Sequence, residues 1–166
     1  MFKHLFILIS AVAVSGCASM FTPASEPKDG ERARLRGVGG TFFVDQNVCG
    51  DRPDLANGMF VYLNSPFWQR SIGMPRGAMS TPVWGEMYIR ADRQVQVTAN
   101  YAAGRSNCEA VSYFKPEKNR DYEFTIGYSG HNPIAGRSSC NLRVADITSG
   151  RDRRPVQISR EKLPCH

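Results

Sequence analysis

Four sets of residues in this 166-residue chain have types or spacing suited to chemistry or to gripping a ligand. They are a Ser and a His two positions apart, a scatter of carboxylates, five cysteines and an excess of arginine. Gly127-Tyr128-Ser129-Gly130-His131 differs from the nucleophile elbow G-x-S-x-G in placing His131 where the last glycine belongs. A serine nucleophile needs a base within reach. Two positions apart on a strand end or loop gives these side chains no reason to meet, so His131 reads as a loop residue. Asp51, Asp54, Glu86, Asp92, Glu109, Glu123 and Asp146 are the candidates for glycoside hydrolysis, which needs two carboxyl groups facing one cleft. Their spacing singles out none, and they read as solvated groups on turns and outer strand faces. The sequence has no H-E-x-x-H, no EF-hand loop and no phosphate-cradling glycine loop before a helix, so neither a cofactor nor a metal is implied. Gly37-Val38-Gly39-Gly40 leads into a strand and reads as a turn or bulge.

Arginine is a more telling signal. The chain carries 21 basic and 15 acidic side chains, and sixteen of the basic ones are Arg, whose planar fork suits carboxylates and phosphates. One group, Trp68, Arg70 and Arg76, lies in residues 64–82, a stretch with neither helical nor strand period. Trp and Arg dominate contact surfaces, so these three form a candidate binding surface. The plain alternative is that Phe67 and Trp68 cap one end of the core. A second group, Arg151, Arg153 and Arg154, shares a turn, where it either grips an anion or guards an edge strand by charge. A nucleic-acid partner is not expected, because no RNP-like or helix-turn-helix pattern is present.

Lys3 and His4 precede the apolar run Leu5 to Val14, which ends in Val14-Ser15-Gly16-Cys17. This run of ten residues, apolar except for Ser10, is half of the roughly twenty needed to cross a bilayer as a helix, and small residues before a cut mark a signal peptide. The last four residues resemble the lipobox of bacterial lipoproteins. That resemblance implies removal of residues 1–16, acylation of Cys17 and a membrane anchor of several acyl chains, which holds where a single chain does not. Ala18, in place of the Asp of inner-membrane retention, implies the outer membrane, with the domain facing the periplasm. Residues 17–30, with Pro23, Pro27 and no apolar periodicity, read as the acylated Cys and a flexible tether, whose thirteen residues after Cys17 reach about 45 Å when extended. Residues 31–166 suit a single domain.

Cys49, Cys108, Cys140 and Cys165 are an even set in an oxidising compartment, so two disulfides are expected. Three pairings exist. Cys108 with Cys140 is favoured because both stand at the starts of apparent strands, which leaves Cys49 to tie down the tail at Cys165. Metal binding is the weaker reading, since no C-x-x-C occurs.

The elements that position these groups are short strands. Residues 33–38, 41–44, 59–63, 84–89, 94–101, 110–114, 122–128 and 141–147 are apolar or alternate with period two between turn residues, and 155–159 suits an edge strand. Residues 59–63 are apolar throughout and read as a central strand. Val95, Val97, Ala99 and Tyr101 share one face of a half-buried antiparallel strand. No stretch holds a helical period for three turns. The expected fold is an antiparallel β-sandwich of about seven to nine strands, immunoglobulin-like or transthyretin-like. Over residues 83–147 the strand order, with Phe114-Lys115-Pro116 and Tyr122-Glu123-Phe124, resembles small uncharacterised β-sandwich lipoproteins of Gram-negative bacteria, a resemblance that implies a fold and no activity. The functional expectation is a non-enzymatic binding or interaction module of the cell envelope, partnered by the membrane through its lipid and by an envelope protein. The alternatives are a binder of anionic glycan or lipopolysaccharide and, lower, a cell-wall hydrolase.

Overall fold

A computed structural model describes residues 22–55, 57–61, 69–75, 83–103, 106–132 and 137–165. Among the described residues nine strands follow one another: β1 (Arg32–Val38), β2 (Thr41–Asp45), β3 (Gly58–Val61), β4 (Trp84–Arg90), β5 (Val95–Ala103), β6 (Ser106–Phe114), β7 (Asp121–Asn132), β8 (Arg137–Asp146) and β9 (Arg154–Pro155). They form two sheets, ordered β4-β1-β7-β8-β9 and β3-β2-β5-β6, packed as the expected sandwich. β1 runs parallel to β7, while the other named pairs are antiparallel.

Period-two alternation builds the core. Ala33 and Leu35 of β1, Phe42 and Val44 of β2, Met87 and Ile89 of β4, Val95, Val97 and Ala99 of β5, and Phe124 and Ile126 of β7 all point between the sheets and are buried. Phe114 closes the core with ring centroids 5.2 Å from Tyr122 and 5.1 Å from Phe124. The turn from β1 to β2 needs its glycines. Gly39 has φ of 85°, and a Cβ on Gly40 would stand 2.5 Å from a methyl of Ile126. The β5–β6 and β7–β8 hairpins are longer than the sequence pattern marks, pairing out to Ala103 with Ser106 and to Asn132 with Arg137. His131, expected in a loop, lies on β7, and Ser129 is on the same strand. The polar residues of these arms carry no apolar alternation that would betray a strand. Both disulfides have the favoured pairing, Cys49 with Cys165 and Cys108 with Cys140.

β3 differs from its expected central place. It is the edge strand of its sheet, and its burial comes from another quarter. The backbone of Thr22–Ala24 runs beside it: Met59 N donates to Thr22 O at 2.9 Å and Ala24 N to Met59 O at 2.9 Å. The chain then crosses to the other sheet. Gln46 Nε2 donates to Ser25 O at 2.7 Å, Tyr88 N donates to Glu26 Oε1 at 2.9 Å, Pro27 is buried, and Ala91 N donates to Glu31 O at 3.0 Å. The tract read as a tether is therefore a strap from Thr22 onward, closing the β3/β4 side of the sandwich. Its hold is mainly backbone hydrogen bonding, which leaves no hydrophobic period to read. The opposite side is closed by the tail, where Val156 N donates to Val144 O at 3.0 Å and Tyr113 and Ser159 exchange a pair of backbone hydrogen bonds.

Gly58 is where the strap is most exacting, because a Cβ there would lie 2.4 Å from the backbone of Ala24. Gly58→Ala is expected to cost about 1–3 kcal/mol in denaturant unfolding, the range for overpacked sites, and to speed amide exchange at Ala24 and Met59. Unchanged exchange there would mean the strap is not held at this point.

Candidate functional site

Strand register lays one row of side chains across the outer face of the five-stranded sheet: Glu86 of β4, Arg36 of β1, Glu123 of β7, Ala145 of β8 and Pro155 of β9. Arg36 donates from Nε to Glu86 Oε1 at 2.9 Å, from Nη1 to Glu123 Oε2 at 3.1 Å and from Nη2 to Met74 O at 3.2 Å. The second oxygen of Glu86 accepts from Ile72 N at 2.7 Å and Met74 N at 3.3 Å. The second oxygen of Glu123 accepts from Arg153 Nη2. Arg36 is 1% exposed, and Glu86 and Glu123 are 2% exposed. In the adjacent row Arg34 forks onto Asp121 at 2.6 and 2.8 Å and donates to Gly73 O at 3.2 Å. That carboxylate raises the Arg34 pKa above its ordinary value.

Glu86 and Glu123 are thus not the solvated outer-face groups their spacing suggests. They do face outward from the sheet, but residues 69–75 lie over the β4 and β1 rows, held by Glu86 N donating to Arg70 O at 2.9 Å, and Arg153 reaches over the β7 row. Chemically the arrangement is a charge-balanced set of two guanidiniums and two carboxylates. The carboxylates face each other across Arg36 instead of across an open cleft, which is not the geometry of a glycosidase pair. An opposite-sign pattern was present in the sequence: Arg34 and Arg36 alternate with core residues, as Glu86 and Glu123 do on their strands.

Beyond Arg153 the same face opens into a depression of about 620 Å³, lined by Val38, Thr125, Ala145, Pro155, Arg143 and Arg153 among others. A smaller hollow of about 250 Å³ adjoins it over Gly127, Tyr128 and Asn141, sharing Thr125 and Arg143. The size is that of ligand pockets generally, which combine apolar lining with a few placed polar groups. Arg153 keeps 39% of its side chain exposed beside Glu123. Arg143 is exposed and has no ion-pair partner among the described residues. Its sign in the sequence was modest: one Arg at an outward position of an otherwise unremarked strand.

Of the expected contact residues that are among the described ones, Arg153 alone lines this groove. Arg151 and Arg154 are exposed beside it in sequence, without ion-pair partners among the described residues. Arg70 is engaged in structure, forking onto Glu26 at 2.8 and 3.0 Å. Cys17, Trp68 and Arg76 lie outside the described residues. Among the described residues no three His, Cys, Asp or Glu side chains are grouped to hold a metal ion, and no helix is long and apolar enough to cross a membrane. At the end of the sandwich where β1 and β7 begin, Arg52 holds the Asp54 carboxyl down at about 2 and Arg90 lowers that of Asp92. The stability from such depressed carboxyls is present above their ordinary value near 4 and is lost as pH falls through the folded values. No family model matches the chain, and neither a curated protein nor a solved structure is found similar to it.

The buried row supplies a direct test of its electrostatics. Arg36→Met leaves buried Glu86 without an ionic partner and Glu123 with Arg153 alone, and is expected to cost about 3–5 kcal/mol in urea unfolding. Adding Glu86→Gln and Glu123→Gln to it should recover part of that loss, because the uncompensated charge is gone. A triple variant less stable than the single one would show that packing, not charge, sets the cost.

Proposed function

We propose that this chain is a lipid-anchored protein of the outer membrane, facing the periplasm, which works without catalysis as a binding module for an anionic envelope molecule. The carrying observation is the groove on the outer face of β7, β8 and β9, with Arg143 and Arg153 beside Val38, Ala145 and Pro155. Guanidiniums beside apolar surface suit a ligand with phosphate or carboxylate groups and a non-polar body, and lipopolysaccharide has both. The signal peptide and the lipobox ending in Cys17 supply the location and the anchor. The absence of catalysis is argued from Glu86 and Glu123, the buried acids of this face, whose oxygens are taken by Arg36, Arg153 and backbone donors. For the same reason a cell-wall hydrolase ranks below binding.

A protein partner is the second reading, favoured by the two long hairpins. Cys108–Cys140 stitches β6 to β8, Tyr101 and Tyr128 stack at 6.4 Å, and Tyr128 is 40% exposed. Such a stiffened pair of arms with an exposed aromatic suits a protein contact.

Titration of the mature protein with purified lipopolysaccharide tests the first reading. Binding should weaken as salt rises, and Arg143→Ala should weaken it by about tenfold, the loss of one hydrogen bond to a charged group. Full affinity in an Arg143→Ala/Arg153→Ala double variant would end the groove assignment. Enrichment of one envelope protein from crosslinked cells by the anchored form, and not by a Cys17→Ser copy, would instead establish the second reading.

A further inference from the structure

The lipid anchor of the proposed function, on which this inference rests, takes on a different geometry once the strap is part of the domain. Thr22 is already fixed against Met59, so only Ala18 to Phe21 separate it from Cys17. Five peptide steps span at most about 18 Å, against about 45 Å for the thirteen-residue tether that the composition suggests. The domain cannot range freely through the periplasm from such an anchor.

Its fixing point also selects an end. Thr22 pairs at the Gly58 end of β3, and Gly58 pairs with Val44 near the close of β2. Asp45 pairs with Gln96, and Gln96 with Tyr113, so this is the end where β5 begins and β6 stops. The first residues of β1 and β7 are in register there as well, Arg34 with Asp121. From that end β7 runs twelve residues to Asn132, about 36 Å at strand rise, so the hairpin tips are remote from the anchor.

Charge at the anchored end favours an anionic surface. Most carboxylates there are matched: Asp29 and Asp54 by Arg52, Asp51 and Asp92 by Arg93, Glu31 by Lys118, and Glu117 and Asp146 by Arg120. Lys28, Lys115, Arg151, Arg154, Arg160 and Lys162 are exposed and outside any ion pair among the described residues. Three carboxylates of this end, Asp45, Asp152 and Glu161, are likewise outside ion pairs, which leaves the cations in excess. We infer that the domain sits end-on against the bilayer, with Lys115, Arg151 and Arg160 toward the anionic headgroups and the β5–β6 and β7–β8 tips directed away. The groove then stands on the flank of the domain, between the membrane-facing end and the stitched tips, which are offered to whatever lies deeper in the periplasm.

The test uses the mature, lipidated chain in nanodiscs containing phosphatidylglycerol and a headgroup-attached paramagnetic lipid, read by amide NMR. Mass spectrometry of the Cys17 peptide comes first, because an unacylated Cys17 would remove both the anchor and this inference. With the acyl chains present, signals of Lys115, Asp152 and Arg160 should broaden and those of Tyr101 and Tyr128 should persist. The variant Lys115→Glu/Arg151→Glu/Arg160→Glu, acylated and folded by the same spectra, should lose that contrast. Broadening at the tips, or at neither end, would overturn the orientation while leaving the lipoprotein reading intact. Contrast unchanged in the variant would overturn the part assigned to charge.

Discussion

The constraint on which the rest depends is a guanidinium placed out of water between two carboxylates. Arg36 bridges Glu86 and Glu123, and so joins β4, β1 and β7 across their outer face, while Arg153 adds the β9 segment through Glu123. A buried ion pair is a weak source of net stability, because desolvation offsets much of the attraction. Its effect on register is sharper. A slip of β1 by one residue would turn Arg36 toward Phe42 and Phe124 in the core and put Leu35 on the outer face. The parallel pairing of β1 with β7, the named strand pair most distant in sequence, is thereby tied to one alignment. The same set explains why residues 69–75 lie where they do, since Ile72 and Met74 donate to Glu86 and Met74 accepts from Arg36.

With that face committed, the open sides of the sandwich become the next problem, because unpaired edges invite other chains. Each side is covered by one end of the chain: the N-terminal strap spans β3 to β4 and the tail spans β8 to β6. Both covers are short and held by few hydrogen bonds, and a terminus frays unless tied down. The disulfides reinforce the tail side. Cys108–Cys140 joins β6 and β8 where the tail does not reach, and Cys49–Cys165 fixes the tail beyond Ser159. With the linked cysteines 32 and 116 positions apart in sequence, chain entropy gives each closure about 3.5–5 kcal/mol. No crosslink holds the strap among the described residues. Backbone pairing to Met59, the buried Pro27 and the ion pair of Glu26 with Arg70 do that work.

What was legible in the sequence follows the same division between local pattern and tertiary cover. Val95, Val97 and Ala99 face the core because alternation is a property of one strand and needs no knowledge of its neighbours. The cysteine pairing was legible for a related reason, since strand starts and a chain end constrain which thiols meet. Burial of Glu86 was not legible, because it depends on residues 69–75, which carry no period of their own. Apolarity in β3 points to a central position, yet a strand is equally buried when an irregular segment covers its edge. The strap is not legible in the sequence because backbone hydrogen bonds leave no mark on side-chain composition. Of the candidate groove, Arg153 was singled out for its cluster, whereas Arg143 needed the register with Thr125 and Val38 to acquire neighbours.

Arginine abundance is then best understood by pairing, not by number. Nine cations among the described residues, including Arg34, Arg36, Arg52, Arg70, Arg90 and Arg120, are consumed by carboxylates of the fold. A net charge of +6 therefore understates how unevenly the free charge is distributed. Among the described residues, the cations outside ion pairs are concentrated at the end where β1 and β7 begin and, through Arg143, on the groove flank. Interior arginines fix the register that presents the exterior ones, so the two populations are linked by position even though they touch different things. Arg153 belongs to both: one nitrogen of its fork closes the buried row at Glu123, and its exposed remainder borders the groove. A ligand anion drawn to that fork would compete with Glu123, and the buried row would then feel an event at the surface.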